Sequence, residues 1–175
     1  MTNLYQAVAS KNLKAVRHIF SHENVNAVDA AGALENAAEI GALNIVRFLV
    51  NQNARHDWAV VNAARFDHVS VLRFLAENKI GNVDAALIAA AAHGNIKSTR
   101  WLVNHVDGLN LDEALADAVF KGYEDIALFL LKKGGNPNTP VYNGQTAAQI
   151  AVQRNRKKVL AALAHLNRKN KKPLK

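Results

Sequence analysis

The side chains best suited to metal binding are scattered along this chain, and few stand at useful spacings. The chain has seven histidines and no cysteine, so a zinc site would have to be built from imidazoles and carboxylates. His18 and His22 are four residues apart, which places both imidazoles on one face of a helix. The sequence offers no third ligand beside them. We therefore predict no metal site and no cofactor.

Motifs for catalysis are also missing from the sequence. It contains no Gly-x-Ser-x-Gly elbow, no glycine-rich phosphate loop ending in Lys-Ser or Lys-Thr, and no His-Glu-x-x-His pair. The carboxylates do not pair at helical spacing on an apolar face, as general acid–base catalysis would require. We predict that the protein is not an enzyme.

Positive charge is concentrated near the C-terminus. Residues 151–175 contain nine of the 22 Lys and Arg residues and none of the 14 Asp and Glu residues, so the first 150 residues are nearly neutral. The basic segment consists of Arg154, Arg156, Lys157, Lys158, Arg168, Lys169, Lys171 and Lys172. It could solubilise the end of the fold, serve as a nuclear address, or bind nucleic acid or another anionic surface. Residues 167–175 have no aromatic side chain for stacking on bases, and we predict that they form a flexible tail.

Six similar units account for nearly all of the sequence. Four of them align without a gap: ALENAAEIGALNIVRFLV (33–50), AVVNAARFDHVSVLRFLA (59–76), ALIAAAAHGNIKSTRWLV (86–103) and ALADAVFKGYEDIALFLL (114–131). Weaker copies lie at residues 3–20 and 147–164. We predict units at about residues 2–26, 32–53, 58–80, 85–108, 113–138 and 146–166.

Each unit divides at one residue, here called the split residue, into two predicted helices. The first helix is short and rich in alanine, and the second spaces its apolar residues to bury one stripe. The split residues are Lys11, Gly41, Asp67, Gly94, Gly122 and Asn155. Glycine readily ends a helix in the left-handed conformation, so Lys11 is the unexpected member. No unit can bury its stripe alone, and stacking of the units must supply the core.

The junction of the last two units carries the most specific family resemblance. Residues 130–151 read LLKKGGNPNTPVYNGQTAAQIA, and four of them match the turn, the finger loop and the Gly-x-Thr helix start of an ankyrin repeat. These four are Gly134, Asn138, Gly144 and Thr146. The chain therefore resembles the ankyrin-repeat family. The resemblance implies an all-α solenoid of about six helix–turn–helix units, with short or vestigial β-finger loops.

The resemblance extends to other parts of the chain. Residues 25–32, VNAVDAAG, are similar to a finger loop, and the end units carry polar residues suited to the caps of a complete array. Degenerate units of this kind are common in ankyrin proteins of intracellular bacteria, protists and giant viruses. With no signal peptide in the sequence, we expect an intracellular monomer without a membrane span. Its location is cytoplasmic by default, with the nucleus and delivery into a host cell as alternatives.

Ankyrin-repeat proteins mostly bind partner proteins on a concave face formed by finger tips and first-helix ends. The resemblance thus implies a non-catalytic scaffold for protein–protein interaction. The alternative is nucleic-acid or anionic-surface binding through the basic segment. The predicted contact surface consists of Glu39, Ile40, Trp58, Arg65, Phe66, His93, Phe120 and Lys121. Shortened fingers could instead let Phe66 and Phe120 fold back into the core.

Two sets of residues recur at matched positions of the units. Arg17, Arg47, Arg73 and Arg100 hold one position in four successive second helices. They are expected to form a solvated face whose arginine stems cover apolar surface, with binding of an acidic partner or a nucleic-acid backbone as the alternative. Asn36, Asn62 and Asp117 hold one position in the first helices, and we expect them to hydrogen-bond to a neighbouring unit.

Overall fold

The computed structural model describes residues 3–141 and 144–170, and these form twelve helices in six consecutive pairs. The pairs are α1 (Leu4–Ala9) and α2 (Leu13–His22), α3 (Ala27–Glu39) and α4 (Leu43–Asn51), α5 (Asp57–Arg65) and α6 (Val69–Glu77), α7 (Val83–Ala92) and α8 (Ile96–His105), α9 (Leu111–Lys121) and α10 (Glu124–Lys132), and α11 (Ala147–Gln153) and α12 (Lys157–Asn170). Turns of two or three residues join the helices of each pair. This is the all-α architecture that the repeats predict.

The helices form two layers, one of first helices and one of second helices. Each first helix packs on the next first helix, from α1 through to α11, and each second helix packs on the next second helix, from α2 through to α12. Every unit therefore contacts chiefly the units before and after it, which is the arrangement of a solenoid.

Residue size explains why the two layers can stack. Alanine is fully buried at one matched position of the first helices: Ala37, Ala63, Ala90 and Ala118. Leucine is fully buried at one matched position of the second helices: Leu49, Leu75, Leu102 and Leu130. The small side chains let neighbouring first helices approach closely, while the leucines fill the space between the layers.

All six split residues adopt the left-handed conformation that their role in ending a helix requires. Their φ angles range from 51° at Asn155 to 89° at Gly122, and Lys11 shares this conformation with a φ of 53°. A side chain with a Cβ is strained there, so Lys11 and Asp67 hold this turn at a cost that the glycines avoid.

The finger prediction is wrong at the first junction. Residues 25–32 lie mostly in α3, which begins at Ala27 rather than near residue 32. Asn26 caps this helix by accepting a hydrogen bond from the Asp29 amide at 2.8 Å, and the alanine-rich sequence that follows favours its continuation. At the last junction a short finger is present, because Val141 N donates to Gln145 O at 2.9 Å and Pro140 pairs with Thr146 in an antiparallel bridge.

The last helix continues past the predicted end of the array. Helix α12 runs to Asn170, so residues 167–170 are helical where we predicted a flexible tail. Residues 171–175, which include Lys171 and Lys172 of the basic segment, lie outside the described residues. Within the described part of the chain, no helix is both long enough and apolar enough to cross a membrane.

The outward face of the last unit is only partly polar. It exposes Gln153 and Lys157, as the cap prediction requires, but it also exposes Val152, whose accessible fraction is 67%. The residues that occupy the same position in the four inner units are all fully buried: Ala38, Ala64, Ala91 and Val119. An apolar position that the next unit covers elsewhere is therefore open to solvent at this end.

Candidate protein-binding surface

Most residues of the predicted contact surface line up along the C-terminal ends of the first helices. Each is one of the last two residues of its helix or directly follows the helix, as Arg65 and Phe66 do at the end of α5. Because α3, α5, α7, α9 and α11 stack in order, these helix ends form one row that crosses the array. Neighbouring packed helices are about 8–10 Å apart, which sets the spacing along the row.

The two phenylalanines of this row are exposed. Phe66 is 45% accessible and Phe120 is 41% accessible, so neither folds back into the core under a shortened finger. The charged and polar members, Glu39, Arg65, His93 and Lys121, are exposed as well. Ile40 differs from them, because it is partly buried and packs against the core.

Trp58 lies apart from the row, although the sequence placed it on the same surface. It is 60% accessible, but it stands at the beginning of α5 and not at the end. Trp58 and Phe66 are eight residues apart along one helix, which corresponds to about 12 Å at 1.5 Å per residue. A partner would need to extend well beyond the helix ends to contact both.

Arg154, assigned from the sequence to the basic segment, belongs to the row. Its guanidinium carbon lies 3.8 Å from the centroid of the Phe120 ring, and Lys121 Nζ lies 5.9 Å from the same centroid. Arg65 is placed similarly, 5.7 Å from the Phe66 centroid. A cation over an aromatic ring is attracted to its negative face. The sequence signal for Arg154 is its position directly before the split residue Asn155.

Arg65, Lys121 and Arg154 make no ion pair within residues 3–141 and 144–170. In those ranges Lys158 forms an ion pair with Asp125 at 3.5 Å, and His56 Nε2 lies 3.4 Å from Glu35 Oε2. The row therefore presents three cations that no described carboxylate neutralises, each of them close to an exposed aromatic ring.

The basic segment does not gather at one place. While Arg154 lies in the row, Arg156 turns inward to the end of α9 and Lys158 approaches Asp125 of α10. Lys157 and Arg168 are exposed, and the side chain of Lys169 lies outside the described residues. Arg154, Arg156 and Lys158 thus contact different groups and do not form a single anion-binding cluster.

The residue after each split residue holds the row in position. In four units this residue, here called a joint residue, contacts the end of the preceding first helix; the four are His68, Asn95, Tyr123 and Arg156. Asn95 Nδ2 donates to the main-chain oxygens of Ala64 and Arg65 at 2.9 and 2.6 Å.

The other joint residues make related contacts. His68 Nε2 lies 2.8 Å from Glu39 O, and Arg156 donates to Val119 O and Phe120 O, both at 2.9 Å. The Tyr123 ring packs so closely on Gly94 that a Cβ there would lie 2.6 Å from its Cε1 atom. The contacts of His68, Asn95 and Arg156 occupy carbonyl groups that a helix end otherwise leaves without partners.

The outer layer has a different chemistry. Arg17, Arg47 and Arg100 each lie over an aromatic ring of the next unit, at 5.6 Å from Phe48, 5.5 Å from Phe74 and 4.9 Å from Phe129. These contacts favour the interpretation that the arginine column covers apolar surface.

The matched polar set in the first helices also divides. Asn62 is buried and donates to Glu35 Oε1 of the preceding unit at 3.3 Å, as expected, whereas Asn36 is exposed. His18 and His22 stack their rings with centroids 4.1 Å apart. In the ranges that the structure describes, no three His, Asp or Glu side chains converge as metal ligands.

Comparison with known proteins adds two matches. Residues 60–141 match the family model for ankyrin repeats, in three copies. A Rickettsia felis protein described as an ankyrin repeat protein is 36% identical over 77 residues, a match that covers 39% of this chain and 25% of that protein. The match with this relative thus extends over only about a quarter of the relative's length.

Proposed function

The chain belongs to the ankyrin-repeat family, and we propose that it is a non-catalytic scaffold that binds a partner protein along its first-helix ends. Ankyrin repeats are generally protein–protein interaction modules. The observation that carries the proposal is the exposure of Phe66 and Phe120 in a row with cations that form no ion pair among the residues that the structure describes. Exposed aromatic side chains next to arginine are typical of the energetic centre of an interface.

The proposed mechanism is rigid display. The joint residues hold the helix ends that carry the row, as Asn95 does for Arg65 and Arg156 does for Phe120. Few backbone torsions then have to be ordered when a partner binds, which lowers the entropic cost of association. Exposed residues in the row can be substituted without changing the core, because they come after the buried alanines in each first helix.

A photo-crosslinking experiment tests the proposal. A benzoylphenylalanine replaces His93, at the middle of the row, and captured proteins are identified from a lysate of the organism that expresses this chain. We expect capture to be lost in the background Phe66→Ser and Phe120→Ser, and to persist in the control Val152→Ser, which alters an exposed apolar residue outside the row. Circular dichroism melts should stay nearly unchanged in both variants. Undiminished capture in the double variant would contradict the proposal, and a collapsed melt would place both rings in the core.

A further inference from the structure

We infer that the partner presents an extended acidic peptide segment, with carboxylates spaced to meet Arg65, Lys121 and Arg154. This inference rests on the proposed function and narrows it to one chemical class of partner. It follows from the charges along the row, from the aromatic rings beside them, and from the distance between successive units.

The charges of the row call for an anionic ligand. From the second unit to the last, the row presents Glu39, then Arg65, His93, Lys121 and Arg154. The three cations have no ion-pair partner in the described ranges. Apart from Glu39 at the end of the row, three carboxylates on the nearby first helices are already engaged with other groups. Glu35 contacts His56 and Asn62, and Glu113 and Asp117 already have partners. Complementary charge on the partner is therefore negative.

The aromatic rings make these cations better suited to binding a carboxylate than solvated surface lysines are. Arg154 and Lys121 both lie over Phe120, and Arg65 lies over Phe66. The rings restrict the side chains in advance, so less side-chain entropy is lost on binding. At 3.8 Å the Phe120 ring also covers one side of the Arg154 guanidinium, which lowers the local dielectric and strengthens its attraction to an incoming carboxylate. Apolar groups next to the carboxylates would cover the exposed parts of the rings.

The spacing of the units sets the spacing of the acidic residues. Lys121 and Arg154 are one unit apart, about 8–10 Å, which an extended peptide spans in about three residues. Arg65 and Lys121 are two units apart, or about five to six residues of extended peptide. A segment of about 12 residues spans the row from Arg154 to Glu39. We expect one basic residue at the end of the segment that meets Glu39.

Glu39 and the wide intervals favour a peptide over a nucleic acid. A nucleic-acid strand carries a phosphate on every nucleotide, so a strand that spans the row would bring more negative charges than the three cations can meet. A uniform polyanion would also be repelled by Glu39. An acidic peptide can place its carboxylates only where the cations lie.

A selection from random peptides tests the inference. A displayed library of 12-residue peptides is selected against the full chain, and enriched peptides are measured by fluorescence anisotropy at 50 and 200 mM salt. We expect Asp and Glu to be enriched at intervals of about three and about five to six residues. The variant Arg65→Glu, Lys121→Glu, Arg154→Glu should weaken binding at least about tenfold. The charge-matched control Lys14→Glu, Arg73→Glu, Lys97→Glu, on exposed sites of the second helices, should leave binding within about twofold. A 12-nucleotide single-stranded DNA should bind more weakly than the peptides.

Several outcomes would overturn the inference while leaving the proposed function intact. If the enriched peptides contain no excess of Asp and Glu but still need Phe66 and Phe120 for binding, the row binds a partner of a different chemical class. Acidic peptides that bind the triple variant as well as the wild type, stronger binding of the DNA, or an absence of enrichment would also overturn it. Peptides of any kind that bind equally well after Phe66→Ser and Phe120→Ser would instead contradict the proposed function.

Discussion

Arg156 donates a hydrogen bond from Nη2 to the main-chain oxygen of Phe120, with the two atoms 2.9 Å apart. A side chain of the last unit thus fixes the helix end that carries an exposed ring of the preceding unit. Two residues away, Arg154 lies on that ring itself. The position of the row and its chemistry are therefore set by residues of the same short turn.

Replacement of Arg156 should destabilise the array. Arg156→Ala removes two charge-assisted hydrogen bonds to Val119 O and Phe120 O, and we expect a loss of about 1–3 kcal/mol in the free energy of unfolding. Arg156→Lys should recover only part of this, because an ammonium cannot reproduce the two-pronged geometry of the guanidinium. Urea denaturation measures the change, with Lys157→Ala as the neighbouring exposed control. Equal effects of Arg156→Ala and Lys157→Ala would contradict the assigned role.

The left-handed split residues should respond to glycine in opposite directions. Lys11→Gly relieves a strained φ of 53° at an exposed site, and we expect it to raise the free energy of unfolding by about 0.5–1 kcal/mol. Asp67→Gly relieves a similar angle but removes the acceptor for Ser98 N and Ser98 Oγ, at 3.0 and 2.8 Å.

Because Ser98 is fully buried, its hydroxyl would be left without a partner, and Asp67→Gly should cost about 1–3 kcal/mol. Chemical denaturation of the two variants in parallel checks both signs. A stabilised Asp67→Gly would show that the Ser98 contacts contribute little.

The buried alanines should not tolerate larger side chains. Ala90 is fully buried between stacked first helices, so Ala90→Leu must displace a neighbouring helix and should lower the free energy of unfolding by about 1–3 kcal/mol or more. Ala161→Leu, on the exposed side of α12, should change it by no more than about 0.5 kcal/mol. Thermal melts followed by circular dichroism suffice, and similar melts for both variants would argue against close approach at Ala90.

The arginine column should act through packing. Arg47→Ala removes a cation from the face of Phe74, and we expect a loss of about 0.5–1 kcal/mol in the free energy of unfolding. Arg73, at the matched position of the next unit, has no such ring contact in the described ranges, and Arg73→Ala should have a smaller effect. If the two substitutions prove equivalent, the ring contact does not contribute to stability.

Much of the fold could be predicted because the same sequence pattern recurs in each unit. Alanine at the close contacts, an apolar stripe and a turn residue recur in register, so errors in one unit are corrected by the others. The finger loops lack this redundancy. Residues 25–32 match a finger by letter, yet a cap at Asn26 and three alanines are enough to make them helical from Ala27 onward.

The candidate site was predictable in position but less so in composition. Proximity to a split residue located Arg65, Phe66, Phe120 and Lys121 correctly at exposed helix ends. Arg154 and Arg156, by contrast, have the same residue type and lie two residues apart, but one faces the row and the other the interior. Only packing against the preceding unit separates them, and that contact spans more than thirty residues of sequence.

The contacts of the joint residues all run in the same direction along the array. Each joint residue belongs to a later unit and seals the helix end of an earlier one, as His68, Asn95 and Arg156 do. Removal of the last helix pair therefore uncovers the end of α9, whereas removal of the first pair leaves every later joint closed. Under a pulling force the array should therefore unfold unit by unit from its N-terminal side, because release of the first helix pair breaks none of these contacts.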